Sequence, residues 1–304
     1  MSETLILVNP AAGGGRAGAF WERLRPAAEA LAPIRVEVPA NREASRRTVR
    51  DALTGGCERV VAVGGDGTAH LVANAILGSG AGAVLGVLPA GTGSDLARAL
   101  RIPRDPREAL RRALLGPPVP IDAGRCETQT DVFFFINIAS AGIGGLVDEA
   151  VNAMPRRGRT AFLRATLAAL WHYSCIPVRI SADGAAFYEG PLFVLAVANG
   201  TTFGKGMRIA PHASVDDGLF DLVLVGEVAG AELLRRLPQV YLGRHMHARP
   251  VRFTRAREVV LDPLAPLPVF DVDGETYPSG RATFTLLPGA LRVAGPPPPA
   301  AGTP

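Results

Sequence analysis

The sequence runs to 304 residues, 48% of them apolar, with 32 basic and 28 acidic side chains and a formal charge of +4. This is globular composition with length for one large or two medium domains, which excludes a disordered chain. The modest charge permits attraction to phosphates or lipid headgroups, and no nucleic-acid-binding motif accompanies it, so no nucleic-acid partner is expected. Cys57, Cys126 and Cys175 are odd in number and lack metal-ligand spacing. They exclude a disulfide framework and point to a reducing cytoplasm.

In chain order, Thr4–Val8 reads as an apolar strand ending in Asn9-Pro10, with no signal-peptide pattern around it. The Gly13-Gly14-Gly15 cluster follows, then a helix from about Ala17 to Leu31, a strand at Ile34–Val38 and a helix at Glu43–Leu53. Arg59–Val63 is a third strand running into GGDGT, with a helix at His70–Leu77. Val84–Leu88 is a fourth strand entering PAGTGSD, and Leu96–Leu100 opens another helix. This alternation predicts a Rossmann-like three-layer α/β domain over residues 1–122, with a parallel sheet whose ligands sit at the carboxyl ends of the strands. All three Gly-rich loops fall at those ends and should converge. Gly67–Ser94 carries no Asp, Glu, Lys or Arg, but its seven glycines and Pro89 exclude a membrane-spanning helix.

Beyond Asp122 the pattern turns to strands: Val132–Ser140, Val178–Ser181, Leu192–Ala198, Phe220–Val225, Glu258–Leu261 and Thr283–Leu287. Only Thr160–Tyr173 and Ala229–Leu242 look helical. We expect a sandwich-like antiparallel β domain over 123–282, a return of about 283–295 to the first domain, and a disordered Pro-rich tail at 296–304.

The chemistry concentrates in the glycine loops. In Gly64-Gly65-Asp66-Gly67-Thr68, glycines let backbone approach a polyphosphate, the following helix adds its positive end, and Asp66 can hold magnesium or its waters. The plain alternative is a tight turn with Asp66 capping the helix. Gly91-Thr92-Gly93-Ser94-Asp95 repeats this logic on the next strand, and Asn9 with Gly13–Gly15 supplies a third loop. Neither GxxxxGK[ST] nor a strand-to-helix GxGxxG is present, so this is neither a P-loop enzyme nor a typical dinucleotide dehydrogenase.

VNPAAGGG, VVAVGGDGT, LPAGTGSDLARAL, IDAG, NIASAGIGG, AVANGTTFGKGMRIAPHASVDDGLFDL and VDGE, in that order, resemble the diacylglycerol kinase catalytic family. That family includes bacterial lipid kinases and the sphingosine and ceramide kinases. GGDGT alone is shared with NAD kinases and phosphofructokinases. The resemblance covers about Leu5 to Val293. It implies an NAD-kinase/diacylglycerol-kinase fold and transfer of the γ-phosphate of ATP to a lipid hydroxyl with Mg2+. It further implies ATP contacts at Asn9, Gly65, Asp66, Gly67, Thr68, Thr92 and Asp95, and a carboxylate–water network of Asp66, Asp95 and Asp122 around the catalytic magnesium. Glu275 would accept the proton of the lipid hydroxyl, which suits the in-line, charge-neutralised demands of phosphoryl transfer. Ser214 and Leu219 carbonyls with the Asp217 carboxylate would hold a second, structural magnesium. For both VDGE and SVDDGL the plain alternative is a β-turn. Three departures from the family stand out: His70-Leu71 in place of Asn-Glu, Pro39-Ala40-Asn41 where relatives often place a threonine near the adenine, and Ser94 in place of asparagine.

Arg156-Arg157-Gly158-Arg159 precedes apolar Leu163, Leu167, Leu170 and Trp171 at helical spacing. This suits docking at an anionic membrane surface, with a core-packed helix as the commoner alternative. The resemblance implies a lipid substrate at a membrane, hence a cytoplasmic protein with peripheral membrane association, and a homodimer is compatible with it. The rival readings are a kinase of NAD or another soluble acceptor, and a catalytically silent lipid- or nucleotide-binding protein.

Overall fold

The computed structural model describes residues 4–90, 94–145, 173–228 and 230–296. Thr92, the basic segment 156–159, the apolar positions Leu163, Leu167, Leu170 and Trp171, and residues 297–304 lie outside them. The chain divides into two compact units, residues 1–122 with 288–304, and residues 123–287.

Four short strands build the first unit, three of them largely buried and β2 half-exposed: β1 (Thr4–Val8), β2 (Ile34–Glu37), β3 (Arg59–Gly64) and β4 (Val84–Pro89). They pair in parallel in the order β2-β1-β3-β4. Runs such as Leu5–Val8 and Val60–Val63 are apolar throughout because a parallel sheet is covered on both faces. The covering elements are α1 (Ala12–Gly15), α2 (Ala17–Leu31), α3 (Arg42–Thr54), α4 (Asp66–Ser79), α5 (Asp95–Ala99) and α6 (Pro106–Leu115). Helix α1 is a single turn in which Gly13 and Gly14 take left-handed φ of 61° and 69°. Trp21, Leu24 and Ala28 recur on one face of α2 and pack with Ile6, Val8, Val61, Val63 and Leu88.

Side chains fix the helix ends. The Asn41 carboxamide accepts from Ala44 N at 2.9 Å and starts α3. Asp105 accepts from Arg107 N and Glu108 N and, with Pro106 in the first turn, starts α6. Sequence patterning placed the third helix at His70, but it opens at Asp66. GGDGT is therefore the N-terminus of a helix, with Gly65 as its N-cap.

The second unit is antiparallel. Its strands are β5 (Pro118–Thr128, beginning in the first unit), β6 (Val132–Phe135), β7 (Ile138–Gly142), β8 (Ile176–Ala182), β9 (Ala185–Leu192), β10 (Val194–Ala198), β11 (Phe220–Val225), β12 (Val251–Ala256), β13 (Glu258–Pro263), β14 (Phe270–Val272), β15 (Glu275–Tyr277) and β16 (Ala282–Ala294). One sheet runs β12-β11-β10-β7-β14-β15. Facing it are β8, β9, β13 and the start of β16. Phe135, Phe220, Phe270 and Phe284 fill the space between, with Phe135 and Phe220 stacked at 5.4 Å. Helix α7 (Gly230–Tyr241) follows β11.

Two boundaries differ from the sequence reading. Val132–Ser140 is broken at Ile136-Asn137 into β6 and β7. In the last strand, Ala282–Thr285 pair with β13 while Arg292 and Val293 pair in parallel with β4. The change of unit thus falls at Pro288.

Candidate functional site

The crossover from β1 runs outward to β2 and returns to β3, so the crevice at the carboxyl ends of β1 and β3 is the reversal point where open α/β sheets place ligands. Asn9 leaves β1 there. Its backbone N donates to Val63 O at 3.0 Å, and its Nδ2 donates to Thr68 Oγ1 at 3.0 Å. Thr68 can sit over the strand end because residue 64 is glycine: a Cβ at Gly64 would come within 2.3 Å of Thr68 Oγ1. Gly65 offers no side chain to cap α4, and with Thr68 N bonded to Gly65 O, the amides of Asp66 and Gly67 are the natural partners for an anion.

Asp66 lies in that first turn, yet its carboxylate turns away from its own helix. It accepts from Ser94 Oγ, from Asp95 N at 3.0 Å and from Leu96 N at 3.2 Å. The Ser94 hydroxyl also accepts from Ala97 N and caps α5. Asp66 therefore ties GGDGT to Ser94–Leu96 beyond β4, and Asn9 ties the end of β1 to Thr68, which brings these described segments of the expected loops together. Burial pushes the Asp66 carboxyl up to about 6, against the hydrogen bonds from Ser94, Asp95 and Leu96 that favour its ionised form.

The other two carboxylates of the expected network are buried and separately engaged. Asp95 pairs with Arg98 Nη1 at 2.6 Å. Asp122 Oδ1 accepts from Gly289 N at 2.8 Å. Among the described residues no three acidic, histidine or cysteine side chains form a cluster that could chelate a cation. Asp66, whose oxygens already take three protein donors, fits a role toward the waters of a hard cation better than direct ligation.

In the second unit, Asp273 and Gly274 have φ of 53° and 84° and form the two-residue turn between β14 and β15, with Val272 paired to Glu275. That is the left-handed geometry of an Asp-Gly hairpin. Glu275 opens β15, the outermost strand of its sheet.

The diacylglycerol kinase catalytic domain profile matches residues 3–126, and the profile of the YegS C-terminal NAD kinase β-sandwich-like domain matches residues 137–295. A Chromohalobacter salexigens protein named "Probable lipid kinase YegS-like" is 32% identical over 82% of this chain and 80% of that protein. The chain belongs to the diacylglycerol kinase/YegS-like lipid kinase family. A Mycobacterium tuberculosis protein named "Diacylglycerol kinase" is 31% identical over 83% of this chain and 81% of that protein. The fold agrees. A diacylglycerol kinase crystal structure from Bacillus anthracis str. Sterne superposes with a TM-score of 0.74 at 19% identity, covering 99% of this chain and 98% of that one. An Archaeoglobus fulgidus NAD kinase in complex with ATP gives 0.52 at 14% identity, covering 97% of this chain and 94% of that one.

Within this lipid kinase family member, the segment that resembles a second magnesium site carries its own protein contacts. Asp217 Oδ1 accepts from Leu219 N at 3.2 Å, and its Oδ2 meets Arg255 Nη2 at 2.9 Å. Arg255 also reaches buried Asp221 at 3.3 Å, and the Ser214 hydroxyl bonds Asp216 at 2.6 Å. Asp217 thus has an arginine beside it, while the ligands implied at Ser214 and Leu219 are main-chain carbonyls, which these side-chain and amide contacts do not involve. Of the family departures, His70 and Leu71 are buried in α4, and Asn41 serves as a helix cap. Ser94, part of the second glycine loop and a departure from the family pattern, is the hydroxyl that ties two loops. Asp273 drew no attention as a residue in its own right, because an Asp-Gly pair between strands already has a sufficient reason to exist as a turn.

Proposed function

We propose that this protein transfers the γ-phosphate of ATP to the hydroxyl of a diacylglycerol or related lipid, with magnesium. The observation that carries this reading is the knot of Asn9, Thr68, Asp66 and Ser94 at the carboxyl ends of the parallel strands, in a chain of this family. Backbone amides at the start of α4, with Thr68 and Asn9, hold the phosphates, and Gly65, Gly67, Thr92 and Asp95 complete the nucleotide contacts. Asp66, with Asp95 and Asp122, would hold magnesium or its waters beside the phosphates. The ion supplies charge neutralisation at the transferring phosphoryl group. Glu275 takes the proton from the lipid hydroxyl as its oxygen attacks.

The acceptor is a membrane lipid, so the enzyme works as a peripheral protein on the cytoplasmic face. No described helix is long and apolar enough to cross a membrane. The assignment is tested by Glu275→Ala. Turnover should fall by about a hundredfold or more while ATP binding, read by calorimetry, changes little. Normal turnover in this variant would remove Glu275 from the mechanism.

A further inference from the structure

The break between β6 and β7 presents three consecutive backbone amides, those of Ile136, Asn137 and Ile138, the last at the start of β7 opposite Ala198. All three donate to one side chain. Asp273 Oδ2 accepts from Ile136 N at 3.0 Å, and Asp273 Oδ1 accepts from Asn137 N and Ile138 N at 3.0 Å each. The Asp273 backbone N returns a bond to Ile138 O at 3.0 Å. The carboxylate is buried, and charge-assisted bonds to backbone amides are among the stronger ones in a fold.

What Asp273 grips is itself fixed. Asn137 O accepts from Asn199 N and Gly200 N at 2.8 Å, and Asn199 Nδ2 donates to Ile136 O at 3.0 Å. What it carries is a short hairpin whose strands are anchored by Phe270 and Val272 in the core and by Tyr277 stacked on Phe133 at 4.2 Å, so the bonds from Asp273 act on the turn between them. β14 and β15 have three residues each, a length that is marginal for a hairpin alone. Among the described strands β15 pairs with β14 alone, and β14 pairs with β7 at Asp271↔Ser140 and Val272↔Ala139. Asp271 Oδ1 braces the turn by accepting from Gly274 N at 2.9 Å, and its Oδ2 accepts a longer bond from Ser140 Oγ of β7 at 3.4 Å.

We infer that Asp273 is a positioning residue for phosphoryl transfer: by gripping the Ile136, Asn137 and Ile138 amides it docks the turn onto a rigid block and so sets where Glu275 stands. The inference rests on Glu275 being the proton acceptor. Small displacements of a reacting group are expensive, on the order of a hundredfold in rate for about 1 Å.

Two substitutions separate the carboxylate from the backbone shape. Asp273→Gly keeps the left-handed turn and loses all three acceptor bonds. Asp273→Asn also tolerates that conformation and retains the two bonds to Oδ1. Both would be assayed for kcat per folded molecule and for the KM of ATP, with amide hydrogen exchange followed at residues 136–138 and Glu275→Ala alongside. We expect kcat to fall roughly a hundredfold in Asp273→Gly and less in Asp273→Asn. The KM of ATP should stay within about twofold, with faster exchange at the three amides. Wild-type kcat per folded molecule in the Asp273 variants, beside an inactive Glu275→Ala, would overturn the positioning role and leave the proton acceptor standing. Normal turnover in Glu275→Ala would instead remove the proton acceptor, and the positioning role with it. If Asp273→Gly does not fold, Asp273→Asn decides the matter by the same split.

Discussion

Asp66 shows how one side chain can hold two loops and still carry a charge cost. Its three donors stabilise the ionised carboxylate, but burial outweighs them and raises the carboxyl from 3.8 to about 6. Between those values the folded protein binds more protons at this group than the unfolded chain does. Stability therefore falls as pH rises from about 4 to about 6, by some 2–3 kcal/mol in magnesium-free buffer. Asp66→Asn should lack that fall, while losing phosphoryl transfer. Parallel stability–pH profiles for the two proteins, from denaturant unfolding, would contradict it. The residue types of GGDGT were plain in the sequence, but the direction of the Asp66 carboxylate was not. It depends on where Ser94, twenty-eight positions later, is brought by the fold.

At the scale of elements, the strands and helices of the first unit were legible because apolar runs alternate with capped helices. The start of α4 was not, since glycine-rich GGDGT has poor helix propensity and is helical only because Thr68 and Ala69 bond back to Gly65. Strands β9 and β12 escaped detection for a similar reason. Both are mostly half-buried or exposed, with one buried residue each, so their side chains do not alternate cleanly between apolar and polar. Helix α5 and the close of β16 are joined by Arg112, a buried guanidinium donating to Leu100 O, Arg101 O and Ala294 O at 2.8–2.9 Å. Arg112→Ala leaves those carbonyls without their donor in a place closed to water. It should destabilise the protein by about 2–4 kcal/mol, measured by chemical denaturation. A change under about 0.5 kcal/mol would show that solvent or neighbouring groups replace it.

For the molecule as a whole, ordered motifs from VNPAAGGG to VDGE carried family and fold, and the geometry adds what motifs cannot encode. The Ser214–Leu219 segment matches a metal-binding pattern in type and spacing, yet Arg255 on a distant strand meets its carboxylate. The Asp-Gly pair before Glu275 reads locally as a hairpin turn, and it is one. Its second role appears only because the β6–β7 break lies beside it. The nucleotide-side groups fall in the first unit and the proposed proton acceptor in the second. The most direct measurement offers the purified protein ATP labelled at the γ-phosphate, magnesium, mixed micelles of diacylglycerol and other hydroxylated lipids, and NAD as a soluble competitor. The label is then partitioned between organic and aqueous phases. Label in a lipid product is the predicted result, and label in NAD, or none transferred despite measurable ATP binding, would contradict the account.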